Sequence, residues 1–207
     1  MATPNPLLVA YVQQHVFPCY EGVDPAHGLV HIQTVIENSL RLAQTQDVDI
    51  DMVYCIAAYH DVGIRYGRET HHLTSATYLE QDEGLSSFFD KNQIHIMKEA
   101  IEDHRASSKN PPRSIYGCII AEADRDLDPY RIYVRSLQFA KARNPGKTED
   151  EIIAISLGHI QEKYGESGYL KLYLFDRKNE AGLAQIRRDI ANGEIEGKLH
   201  EIFAEIA

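Results

Sequence analysis

The sequence predicts an all-α protein, a compact helical bundle without a sheet, on three observations. Apolar residues recur mostly at spacings of three and four, the period of a helix that buries one face. Capping and breaking residues stand where those periodic segments begin and end. No internal repeat, low-complexity stretch or Gly/Ser/Pro-rich linker forces a second domain, so the whole chain, 1–207, reads as one unit.

Taken in order, residues 5 to 17 make a first short helix, and Asp24-Pro25 opens a long one whose buried stripe is Leu29, Ile32, Val35, Ile36, Leu40 and Leu42. Asp49 or Asp51 starts the next, MVYCIAAYHD, which stops at Gly63. After a loop containing Arg65, Tyr66, Gly67 and Arg68, Thr70 caps a helix running to Gln81. Asp90 or Asn92 caps NQIHIMKEAIEDHR, in which Ile94, Met97, Ile101 and His104 share one face. The turn Asn110-Pro111-Pro112 separates it from SIYGCIIAEADRD. Further helices are expected at 130–142, 149–164 and 179–205, with KYGESGYLKLYLF as an irregular or extended connection.

Composition excludes several functions. The 21 Lys and Arg against 31 Asp and Glu leave a net charge of −10, and no basic run offers a face to nucleic acid or an anionic membrane. No apolar run approaches the roughly 20 residues that span a bilayer, and the first residues lack a basic signal region, so the expected address is the cytoplasm. Three cysteines at wide spacing fit a reducing compartment, and Cys55 and Cys118, inside apolar segments, are expected to be buried packing residues. Neither GxxxxGK[ST] nor GxGxxG occurs, so ATP-driven or dinucleotide chemistry has no support.

The histidines are the informative feature. There are ten, seven of them in the first half. His31 lies on the stripe side of its helix, His60 continues the face of Val53, Ile56 and Ala57, His104 that of Ile94, Met97 and Ile101, and Asp124 that of Ile120. Burying these groups without compensation costs several kcal/mol each. A divalent cation is the simplest common partner, and imidazole with carboxylate suits Mn, Fe, Co, Ni or Zn.

The order His31, His60-Asp61, Asp124 and its contexts, DPAHGLVHIQTV, AAYHDVGI and AEADRDLDP, resemble the HD-domain superfamily of metal-dependent phosphohydrolases. HHLTSA and EDHR are similar to small bacterial members, and the resemblance covers about residues 24–130, leaving 131–207 as a helical extension. It implies His31, His60, Asp61 and Asp124 as ligands of a divalent metal (Mn, Fe, Mg, Co, Ni or Zn). His27 competes with His31, and Asp126 with Asp124, because the last element is one residue longer than the usual form. His72, with His71 as register competitor, and His104 are expected to hold a second metal or a phosphate oxygen. The implied activity is hydrolysis of a phosphate ester, of a nucleotide or a related small metabolite, by metal-activated water. Asp61 would orient that water, while Arg65, His72 or His104 would stabilise the developing charge. The implied partner is a small phosphorylated substrate, with no nucleic acid, no membrane and room for a homo-oligomer. Two alternatives stand beside this: a di-iron oxygenase on the same scaffold, and a metal-stabilised binding or sensor module without turnover.

Overall fold

The computed structural model describes residues 3–23, 27–174 and 176–206, which hold ten α-helices and no strand. The expected start of the second helix at Asp24-Pro25 lies outside the described residues. Packing divides the chain into two compact units, Met1–Asp124 and Arg125–Ala207. No helix among the described residues is long and apolar enough to cross a membrane.

The first unit is built around one helix. In order it contains α1 (Pro6–His15), α2 (Leu29–Ala43), α3 (Ile50–Tyr59), α4 (His71–Glu80), α5 (Lys91–Asp103) and α6 (Ile115–Ala123), with short 3-10 helices at Phe17–Tyr20, Val62–Tyr66 and Glu83–Ser87. From Met52 to Tyr59 every residue of α3 is buried, because α1, α2, α4, α5 and α6 all pack against it. An all-round apolar helix is the expected occupant of such a centre. Asp49 starts it by accepting the backbone N–H groups of Asp51 and Met52. Asp90 and Gln93 form a reciprocal capping box on α5, and Ser114 caps α6 through the Gly117 N–H. Thr70, the expected cap of α4, makes no side-chain cap bond.

Two local features fix the end of α3. The hydroxyl of Tyr20 donates to the Ala58 carbonyl at 2.8 Å, and that of Tyr59 donates to Asp82 at 2.6 Å, a carboxylate that also accepts from Tyr11. Beyond α3, Gly63 lies so close to α4 that a Cβ there would stand 2.6 Å from the His71 carbonyl oxygen and 2.7 Å from the Ser75 nitrogen. Only glycine permits this approach. The Gly63 N–H donates to Ser75 Oγ at 2.8 Å, so the residues after Asp61 are fastened to the start of α4.

The second unit contains α7 (Pro129–Arg143), α8 (Glu149–Tyr164), α9 (Arg177–Ala191) and α10 (Ile195–Ile206), with a core that includes Leu137, Ile152, Ile160, Ile186 and Leu199. The single helix expected over 179–205 is two, because Gly193 adopts φ 72° and ends α9. KYGESGYLKLYLF is irregular after α8, as expected, over its described residues. Cys55 is buried, whereas Cys118 is only partly so, which corrects the expectation that both pack fully inside.

Candidate metal centre

Three helix ends of the first unit deliver the site. His60 is the C-cap residue of α3, His104 of α5 and Asp124 of α6. His31 comes from the first turn of α2, Asp61 follows His60 directly, and His71 opens α4. His60, Asp61 and His104 are nearly inaccessible to solvent, while the Asp124 side chain keeps 30% exposure and opens the cluster outward.

The two oxygens of Asp61 face two sets of donors. Toward Oδ2 lie His60 Nε2 at 3.6 Å and His31 Nε2 at 3.8 Å, and these two nitrogens stand 3.7 and 3.2 Å from Asp124 Oδ1. Toward Oδ1 lie His71 Nε2 at 3.2 Å and His104 Nε2 at 3.7 Å. His31, His60 and Asp124 form one group with metal-ligand spacing, and Asp61, His71 and His104 form another.

The imidazoles are locked from behind. Nδ1 of His60 lies 2.8 Å from the Ala57 carbonyl, Nδ1 of His104 2.6 Å from that of Ile101, and Nδ1 of His71 2.7 Å from that of Arg68. A carbonyl only accepts, so each Nδ1 carries a proton, and Nε2 offers its lone pair to the cluster whenever the ring is neutral. Nε2 of His71 and of His104 then face each other at 3.1 Å. Two lone pairs at that separation repel, and burial lowers the pKa of both rings, that of His104 to about 4, so neither is protonated at neutral pH. Nε2 of His31 and His60 are buried and make no hydrogen bond. A divalent cation would satisfy all four nitrogens together with the two carboxylates, so the donor set fits a divalent metal.

The remaining charges agree. Burial works against the carboxylates of Asp61 and Asp124, but the neighbouring imidazoles outweigh it and hold both below the usual range. For His60, burial is outweighed by Asp61 and Asp124, and its pKa is pushed up to about 9. Without a metal the carboxylates therefore recruit a proton in its place.

Not every residue expected here arrives. In the position foreseen for His72 stands His71; His72 is the next residue along α4, and its buried Nδ1 makes no hydrogen bond. Adjacent helical residues point about 100° apart, so only one of the pair can face Asp61. Arg65 is exposed and lies 5.8 Å from the centre of the Tyr66 ring. Gly67, at φ 132°, redirects the backbone, and Arg68 beyond it reaches the cluster. Its Nη1 stands 3.2 Å from His27 Nε2, and His27 Nδ1 stands 2.9 Å from Asp61 Oδ2. Because the guanidinium only donates, His27 accepts at Nε2 and donates from Nδ1 to the carboxylate. His27 therefore orients Asp61, a role the sequence reading considered only as a rival to His31. Asp126, the rival to Asp124, is engaged by Arg131 at 3.0 Å.

The HD domain family model matches residues 28–127. Among solved structures, the chain is similar to a predicted HD superfamily hydrolase from an uncultured Thermotogales bacterium, at 18% identity and a TM-score of 0.53, over 96% of this chain and 93% of that one. No curated protein matches. The matched segment, residues 28–127, holds His31, His60-Asp61 and Asp124 in one cluster, and over that segment the chain carries an HD domain.

Proposed function

We propose that the protein is a metal-dependent phosphohydrolase that cleaves the phosphate ester of a nucleotide or a related small metabolite. The observation that carries this reading is the set of imidazoles whose Nδ1 protons are committed to backbone carbonyls and whose Nε2 atoms converge on Asp61. His31, His60, Asp61 and Asp124 would hold one ion, and the other oxygen of Asp61 with His71 and His104 a second. Bound there, a divalent ion supplies a Lewis acid for phosphate oxygens and lowers the pKa of water. Around it, the rigid backing of His60, His71 and His104 keeps the donors in register, and His27 fixes the rotation of the Asp61 carboxylate. The half-exposed Asp124 marks the side from which substrate reaches the cluster.

The test is element-resolved metal content of the purified chain, followed by phosphate release from a panel of phosphate monoesters and nucleotides with the metal found. One or two first-row ions with release of phosphate, both lost in Asp61→Ala, is the expected result. Metal without turnover across the panel would overturn the enzymatic reading. A second reading draws on Asp61 standing between two donor groups, which also suits a di-iron oxygenase. Two irons per chain with oxygen consumption, in place of phosphate release, would select it.

A further inference from the structure

The charge of the chain is unevenly placed. Against a total of −10, residues 163–188 carry six Lys or Arg and only three Asp or Glu. Within the second unit, the irregular segment after α8 and the helix α9 enclose a groove of about 800 Å³. Its apolar lining is Leu170, Leu172 and Leu183, the first and last of which are buried. Three cations also line it, each with N–H donors to spare. Arg187 donates from Nε to the Tyr164 carbonyl at 3.2 Å and lies 4.0 Å from Glu166, which leaves its Nη groups uncommitted. Arg188 donates to Gln185 Oε1 at 2.6 Å from one Nη only, and Lys171 is exposed without an ion pair among the described residues. The carboxylates of the lining are those of Glu166 and Glu180. The non-helical wall is extended backbone. Its Tyr169 and Leu170 N–H groups donate to the Glu162 and Lys163 carbonyls, whereas the N–H and C=O groups of Lys171 and Leu172 make no hydrogen bond among the described residues. An extended segment with open backbone groups is an edge onto which another strand can pair.

We propose that this groove is a docking site for an acidic peptide in extended conformation, paired through its backbone with Lys171 and Leu172. Successive side chains of a strand point to opposite sides. One set would pack on Leu170, Leu172 and Leu183, while the other carries carboxylates to Lys171, Arg187 and Arg188, whose planar forks suit them. The open backbone favours a peptide over an isolated anion, which would use the cations and leave the N–H and C=O groups unpaired. It favours a peptide equally over single-stranded nucleic acid, whose backbone has no amide. Every residue of the groove belongs to the second unit, so the proposal does not depend on the hydrolase reading.

The experiment follows the fluorescence anisotropy of a labelled synthetic peptide of alternating Glu and Val, about eight residues long, titrated with the full-length chain. Saturable binding is expected, at least about tenfold tighter than that of an alternating Lys and Val peptide and weaker at high salt. Lys171→Glu and Arg188→Glu should each weaken it at least about fivefold. Arg177→Glu, on α9 but not lining the groove, should change it by less than about twofold. Lys171 and Arg188 are both exposed, so Tm should not move; Lys171→Gln and Arg188→Gln, with a smaller loss, stand in if a glutamate variant folds poorly. The same peptide N-methylated at alternate residues keeps its charges but cannot pair as a strand, and should bind at least about tenfold more weakly. No saturable binding, equal affinity for the basic peptide, or binding that survives in both glutamate variants overturns the groove as the site. If the N-methylated peptide or free glutarate binds as tightly as the parent peptide, the occupant is a bare anion and the peptide proposal falls. Equal competition by a single-stranded oligothymidylate overturns it in favour of nucleic acid.

Discussion

At the residue scale, Asp61 is the most connected group in the site, since each of its oxygens faces a different set of imidazoles. If the two proposed metal positions are filled, Asp61→Asn, of nearly the same volume, is expected to empty both and His104→Ala only the second; metal analysis of the two variants distinguishes them. His60 adds a pH dependence with a definite sign. Its raised pKa, about 9, means that the metal-free fold gains stability from the His60 pairing below the ordinary histidine range and loses it as pH rises through about 9. The same proton must leave before Nε2 can ligate. Metal uptake at pH 7.5 is therefore expected to release about one proton per ion, and the affinity to fall about tenfold per unit of pH below 9, read by calorimetry in buffers of different ionisation enthalpy. His60 and Asp61 were legible because they sit together at the end of a uniformly apolar helix. His71 against His72 was not, because both lie in one short helix and periodicity does not fix its rotation. Arg68 was hidden for a different reason: the left-handed turn at Gly67 that brings it back has no signature beyond the glycine itself.

At the scale of elements, α3 and α4 are held in register by the contact at Gly63. Both atoms that a Cβ would meet belong to the backbone, so α4 must move as a whole. Gly63→Ala is expected to cost about 1–3 kcal/mol, seen as a lower Tm, and to weaken the metal position that includes His71 more than the one that includes His31. The helices themselves followed from capping and apolar spacing, and their observed ends lie within a few residues of those expected. The exception is the last segment, where one helix is expected and α9 and α10 instead stand on either side of Asn192, Gly193 and Glu194. The turn between them carries Gly193 at positive φ, and Gly193→Ala, which strains that turn, should cost about 1–2 kcal/mol, measured by chemical denaturation.

At the scale of the whole molecule, all the metal-centre residues named above belong to the first unit, and the second has an independent core. That core contains a charge: Asp189, 1% exposed, accepts from Tyr133 and Gln185 and pairs with Lys198 at 2.7 Å. Burial opposes its ionisation, but these partners prevail and keep its pKa below the usual carboxylate value. The stability it contributes is thus present above about pH 4 and lost as pH falls through the folded-state value. Asp189→Asn should lower stability at pH 7 by about 1–3 kcal/mol and flatten its decline between about pH 5 and 3, followed by acid titration of the circular dichroism.

The C-cap positions of His60, His104 and Asp124 carry one more consequence. Helix C termini carry partial negative charge, about −0.5 each from the aligned peptide dipoles, and here the ends of α3, α5 and α6 meet around a single volume. These three outnumber the two helix N termini that also bring residues to the cluster, those of α2 at His31 and α4 at His71, so the backbone leaves a net field that favours a cation over an anion. Binding should therefore be ordered: an ion must enter first and reverse the sign of the field before a phosphate can settle beside it.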